Sequence, residues 1–272
     1  MVRRPKTRQR SKRIRDKAKQ RKIRKKDKVN HRQIDKRKYY GIGVEIEKYQ
    51  ETMLQAVDLE HIDSLVQAAI PDRNEETVLT ENIIDDIIGQ ISGELFDNSV
   101  IAQLGEVLAD SFSKGSKRAY NTDGEQVAGF DDVQEHRAVQ QLMRDQEKYF
   151  DNLSDDAQDK LRDNLEDALD KGMGIDDARD MIKDDMEDFT KNRAETTARS
   201  ECIKASSRGT EQAMQEAGVE EVIWLATLDD RTCETCQDLH ESKWEMDDGD
   251  RPMPVEDTHP NCRCTIVADT RS

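Results

Sequence analysis

Between Val44 and about Gly218, apolar residues recur at spacings of three and four, the pattern of amphipathic helices. Met53, Ala56, Val57, Leu59, Ile62, Leu65, Val66 and Ala69 form one stripe, ended by Pro71. Ile83, Ile84, Ile87, Ile88, Ile91 and Leu95 form a second within Val78 to Phe96, with Gly89 and Gly93 weakening its continuity. Ile101, Leu104, Val107, Leu108 and Phe112 form a third. The polar stretch from Lys114 to Asp132, with Gly115, Gly124 and Gly129, predicts a loop or joint. Val133 to Phe150 returns to the helical period. Ser154, followed by Asp155 and Asp156, reads as the N-terminal cap of a helix bearing Leu161, Leu165 and Leu169. Lys171-Gly-Met-Gly174 closes it, and Asp176 and Asp177 open another with Ala178, Met181, Ile182 and Met186. A last helix is predicted from about Lys191 to Ala217, with Gly218 at its C-terminal end.

Beyond Gly218 the period changes. Glu221-Val-Ile-Trp-Leu-Ala-Thr-Leu228 reads as a strand rich in β-branched and aromatic residues. Asp229 to Thr232 supplies a polar turn, and Thr265-Ile-Val267 is a second short apolar run. The predicted fold is mainly α: an elongated helical body with a small C-terminal β-rich module and a basic N-terminal arm. Three parts follow, a basic arm over 1–40, an acidic helical body over 41–188 and a Cys-rich part over 189–272.

Charge sharpens that division. The 272 residues are 34% hydrophobic and 38% charged, with a net charge of −16 and a pI near 4.9. Residues 1–40 hold 20 Lys and Arg against three acids, a net of +17, while the remainder carries −33. The averaged pI describes neither part. From Val2 to Lys38 the apolar side chains are Val2, Ile14, Ala18, Ile23, Val29 and Ile34, too few for a core, so the arm alone is expected to be disordered or a fluctuating helix. Its density of Lys and Arg suits sequence-independent contact with double-stranded DNA, each neutralised phosphate releasing counterions. The alternative is docking on an acidic protein surface, this protein's own body included. Acids clustered in 151–188 lack a calcium-loop pattern and read as a solvated helix face. No apolar run reaches the ~18 residues of a membrane span, and no apolar stretch follows the basic start as in a secretory signal.

Four of the five cysteines lie between positions 233 and 264. Cys233 and Cys236 form C-x-x-C, and His259-Pro-Asn-Cys262-Arg-Cys264 follows after 22 intervening residues. A C-x-x-C pair turns two thiolates towards one ion, and an H-x-x-C-x-C segment can complete a tetrahedron. Soft sulfur and nitrogen donors favour structural Zn2+, with Cys233, Cys236, His259, Cys262 and Cys264 as candidate ligands and His240 as a further one. Disulfides and reduced core cysteines are the other readings. Cys202 stands apart and reads as a small apolar residue on a packed helix face. The zinc-deaminase, zincin, G-x-S-x-G and P-loop patterns are absent, so neither catalytic residues nor a small-molecule substrate are expected. Asp229 and Arg231 read as an Asp-initiated turn with a local ion pair rather than catalytic groups.

The run Trp224-x4-Asp229-x-Arg231-Thr-Cys233-x2-Cys236-x2-Leu239, then Pro254 and His259-Pro-Asn-Cys262-Arg-Cys264, resembles the phage head-morphogenesis or minor capsid family, the phage Mu F-like group. Arg193-Ala-Glu195-x2-Ala198-Arg199-Ser-Glu201 resembles the helix preceding that family's strand module, and the resemblance spans about 190–268. Ser200 replaces the usual Thr, and His240-Glu241 stands where a Gly commonly follows the Leu. The resemblance implies a structural protein of a tailed-phage head. Portal protein or major capsid protein would be its partners, and the virion (capsid interior or portal vertex) its location after assembly in the host cytoplasm. The competing reading is a zinc-ribbon nucleic-acid-binding regulator. Arg231, Lys243, Arg251 and Arg263 among many acids make the tail a poor reading head for it.

Overall fold

The computed structural model describes residues 14–18, 21–22, 42–56, 84, 98–128, 137–171, 173 and 175–270. The first apolar stripe beyond Ala56, the second apart from the buried, helical Ile84, and most of residues 1–40 lie outside the described residues.

The described chain is mainly helical. In order it forms α1 (Gly43–Ala56), α2 (Asn98–Ser116), a hairpin of β1 (Ala119–Tyr120) and β2 (Gln126–Ala128), α3 (Arg137–Asp170), α4 (Ile175–Glu216), β3 (Glu221–Leu225), α5 (Glu234–Leu239), β4 (Lys243–Glu245) and β5 (Thr265–Ala268). No described helix is long and apolar enough to cross a membrane.

Two helix boundaries differ from the sequence reading. Ser154 lies inside α3, and no break occurs near Lys191 within α4. Neither helix contains a Gly or Pro at these points, and a Ser-Asp-Asp cluster costs a helix interior only a few tenths of a kcal/mol per residue. The Glu187–Lys191 ion pair, one turn apart, bridges the expected start of the last helix. The boundary expected between 188 and 189 thus falls within one continuous helix. The ends marked by glycine hold. Gly218 has φ +71°, Val219 N–H donates to Met214 O at 3.0 Å and Gly218 N–H to Gln215 O at 3.0 Å, the paired bonds of a Schellman stop.

The chain divides into two compact units. One comprises Tyr49–Glu106 and Met143–Glu195, with Tyr49, Met53, Leu104, Leu161, Leu165 and Ala168 among its buried side chains. Within it, the Tyr49 hydroxyl donates to Gln146 Oε1, Lys160 pairs with Asp185 at 2.9 Å, and Arg193 with Asp156 at 3.0 Å.

The other comprises Met1–Lys48, Val107–Leu142 and Thr196–Ser272. Here α2 and α4 meet backbone to backbone. A Cβ on Gly115 would lie 1.9 Å from Ser206 O, and one on Gly209 would lie 2.0 Å from Phe112 O. The Thr210 hydroxyl donates to Gly115 O at 2.8 Å across the same contact. Gly115, expected in a loop, is therefore a helical residue that lets two helices touch. The joint expected over 114–132 holds the β1/β2 hairpin, closed by Asn121 Oδ1, which accepts from the N–H groups of Asp123 and Glu125.

The C-terminal sheet runs β4-β3-β5, antiparallel throughout, with Val222 opposite Trp244 and Trp224 opposite Ile266. β3 is central and buried on both faces. Val222 and Trp224 join one apolar cluster with Trp244, Leu239 and the cysteines, and Ile223 and Leu225 join Val267 in another. Arg251, itself buried, pairs with Glu211 of α4 and donates to Met246 O at 3.2 Å, tying the loop after β4 to that helix.

Part of the basic arm belongs to this unit. Residues 14–18 are helical, and Ile14 and Ala18, one turn apart, are buried in the Trp224/Trp244 cluster. The arm lacks a core of its own, and these residues borrow the module's.

Candidate metal centre

The strand predicted over 221–228 stops at Leu225, because the Ala226 N–H turns to the ring Nδ1 of His240 at 3.2 Å. The chain then enters an Asp-initiated turn. Asp229 Oδ1 accepts from Arg231 N–H at 3.0 Å, and the Thr232 hydroxyl donates to Thr227 O. Cys233 caps α5 from an extended conformation, its Sγ accepting from Cys236 N–H at 3.3 Å. Capping places both sulfurs of C-x-x-C on one side of a six-residue helix.

The second donor segment is a tight turn. Asn261 takes a left-handed φ of 61°, which Asn tolerates better than most residues, and Cys262 N–H reaches back to His259 O at 3.2 Å. Asn261 N–H donates to the Ser200 hydroxyl of α4 at 3.0 Å. Arg263, between the two cysteines, grips both carboxylate oxygens of Asp229, one at 2.5 Å. The ion pair expected locally with Arg231 is made instead with Arg263, and it bolts the C-x-x-C turn to the H-P-N-C-R-C turn. Arg263, with backbone help from Arg231 and the Thr232 hydroxyl, holds the Asp229 carboxyl well below its ordinary range.

These two turns bring all five predicted ligands together. Cys233, Cys236 and His259 form one trio with donor atoms within 4.8 Å of one another, and Cys236, Cys262 and Cys264 form a second. Cys236 belongs to both. Its sulfur lies 3.8 Å from that of Cys262 and 3.4 Å from His259 Nε2. Two thiolates bound tetrahedrally at ~2.3 Å stand about 3.8 Å apart, so the spacing suits zinc and is far beyond the ~2.05 Å of a disulfide. None of the five cysteines is joined in a disulfide.

His259 is oriented as metal-binding histidines are. Its Nδ1 faces Pro260 O at 2.7 Å, and that carbonyl can only accept, so the proton sits on Nδ1 and the Nε2 lone pair faces Cys236. The thiols also distribute charge unevenly. Cys262 is drawn down because the Cys236 and Cys264 thiols, together with Thr258, hydrogen-bond to its sulfur. Cys236, donating to Cys262 and crowded by Cys264 in a buried site, is pushed up. Ionising several thiols this close together calls for counter-charge, which a divalent cation supplies.

His240 is in neither trio; it serves the backbone of Ala226. Cys202 is fully buried on α4, its thiol pushed up to about 12 chiefly by burial, as a packed apolar residue should be. The sequence reading missed Ser200 and Arg263 as supports. Ser200 was visible only as a departure from the resembled pattern, and Arg263 only as one of the tail's few basic groups, between two candidate ligands.

Residues 159–267 match the family described as Phage Mu protein F like protein, about two-fifths of the chain and including all five donor residues. No curated protein and no solved structure matches the chain. The cysteine-rich module, with the helical residues from Asp159 onward that precede it, is thus the part of the chain that is similar to the Phage Mu protein F like family.

Proposed function

We propose that the chain is a minor capsid or head-morphogenesis protein of a tailed bacteriophage, with a structural role at the portal or capsid interior. The observation that carries this reading is the family match over 159–267, which encloses the whole donor cluster. Residues 1–40 serve as the arm contacting packaged double-stranded DNA, 41–188 as an acidic helical body, and 189–272 as the stapled module that packs against portal or major capsid protein. The assignment is to a virion component assembled in the host cytoplasm, without enzymatic activity.

Cys233, Cys236, His259, Cys262 and Cys264 are the donors for one structural zinc ion. Such an ion, when bound, cross-links the two turns and stabilises a module too small to rely on its core alone. The chain's own residues prepare that cross-link. Cys233 caps α5, the Pro260 carbonyl fixes the His259 tautomer, and Asp229 with Arg263 holds the two turns in register.

Two experiments test the reading. Metal content by mass spectrometry, with free thiols counted in the same sample, should give about one zinc per chain with the ligand thiols reduced. Deleting the protein from its phage should leave head assembly defective, with the protein found in wild-type virions. Absence from virions together with normal heads would reject the capsid assignment whatever the metal result.

A further inference from the structure

The described residues of the arm are not held by apolar contact alone. Lys17 Nζ reaches Asp250 at 2.6 Å and Asp248 at 3.9 Å. The Arg21 guanidinium pairs with Asp248 at 2.8 Å and lies 4.8 Å over the Trp244 ring. Lys22 Nζ donates to the carbonyls of His240 and Gln237 at the C-terminal end of α5, and Arg15 stands 3.7 Å from Glu234 at its other end. The backbone takes part as well, for Lys243 N–H donates to Arg21 O at 2.9 Å and Lys22 bridges Ser242.

The segment thus reads Ile14, Ala18 inward and Arg15, Lys17, Arg21, Lys22 onto carboxylates, carbonyls and an indole. Each of these basic groups already has a protein partner, so a phosphate must compete with that partner for the same charge. Asp248 is built for the contact, since its carboxyl is held low by the Asp250 N–H and then by Arg21 and Lys17.

We propose that the face of the Cys/His module formed by α5, β4 and Asp248–Asp250 is a receptor for a basic helical segment, occupied by residues 14–18 with Arg21 and Lys22 of the same chain. Docking there and DNA contact by the same residues are alternatives. This deepens the DNA-contacting role proposed above for the arm and rests on it. A latch closed about nine-tenths of the time lowers apparent DNA affinity by about tenfold, and loss of the latch restores it.

The test uses the full chain and two independent variants. Ile14→Ser with Ala18→Ser removes the apolar anchor without changing charge. Asp248→Asn with Asp250→Asn removes the two carboxylates that meet Lys17 and Arg21 while keeping an oxygen to accept the turn's N–H. Asp163→Asn with Glu166→Gln, on the exposed face of α3, controls for net charge. Trypsin cleavage at Arg15, Lys17, Arg21 and Lys22, mapped by mass spectrometry, reads docking; binding to a short random-sequence DNA duplex reads the arm's availability.

In the unaltered protein these four sites should be protected. Both latch variants should be cut there and bind the duplex roughly tenfold more tightly, beyond any gain in the control. A wild-type protein cut freely at the four sites overturns the docking. Variants cut freely but unchanged in DNA affinity overturn the competition while leaving the DNA-contacting arm intact. Variants that are cut and, like the wild type, bind no DNA overturn both the competition and the DNA-contacting reading.

Discussion

Cys236 is the one donor common to both trios. Its replacement breaks both, whereas the loss of Cys233 or Cys264 leaves one trio whole. Cys236→Ser should therefore strip the metal on dialysis against a weak chelator under conditions in which Cys233→Ser and Cys264→Ser each retain a measurable fraction. Equal loss from all three would mean that no donor is privileged. Asp229 is exposed, so its grip by Arg263 is screened by solvent, but its sign is definite. A carboxyl held low in the folded state stabilises the fold above the unfolded pKa of about 3.9 and loses that contribution as pH falls below it. Asp229→Asn should leave a protein whose melting temperature falls less steeply between neutral pH and about pH 3 than the parent's, read by calorimetry across that range. At this scale the clustering of the five side chains was legible, because C-x-x-C and H-x-x-C-x-C bring them together through local turns. The use of His240 was not, because one imidazole serves a metal or a backbone N–H equally well until its neighbours are known.

Helices were legible in their existence and less so in their extent. Period and stripe are summed over many residues, as in Leu104, Leu108 and Phe112 of α2, and survive local noise. Starts and stops rest on one or two side chains. The glycine stop at Gly218 is legible, while at Ser154 the poor helix propensity of its Asp and Asn neighbours costs only a few tenths of a kcal/mol each and no Gly or Pro breaks the helix. Gly115 misled for a different reason. Its role lies across the interface, where Ser206 of α4 approaches its Cα, and nothing in its neighbours in sequence reveals that. In an ordinary helix, Gly→Ala stabilises by about 1 kcal/mol. At Gly115 or Gly209 the added methyl meets carbonyl oxygen at 1.9–2.0 Å, and backbone cannot swing aside as a side chain can. Gly115→Ala and Gly209→Ala should each destabilise by about 1–3 kcal/mol, measured by denaturant unfolding. A neutral or stabilising result would show that α2 and α4 separate at no cost.

The division of the molecule depends on packing rather than on composition. The sequence reading joins the helix from 189 to the Cys-rich module, yet the unit holding the Cys/His cluster also takes in Val107–Leu142. Charge counts and periodicity do not reveal that addition. Removal of the proposed zinc by a strong chelator should accordingly raise hydrogen exchange in 221–268 and in residues 14–18, 21 and 22, while 143–195, with its own core of Leu161, Leu165 and Ala168, stays protected. Exchange rising evenly along the chain would show instead that the two units unfold as one.

The docked arm also sets an order in time. Ile14 and Ala18 leave the ribosome more than 200 residues ahead of Trp224 and Trp244, against which they pack. At ~5–20 residues per second, the earlier-made segment waits roughly 10–45 s for the later-made one. During that interval its lysines and arginines are bare, in a cell full of nucleic acid, and the arrival of the sheet and α5 is what ends their exposure.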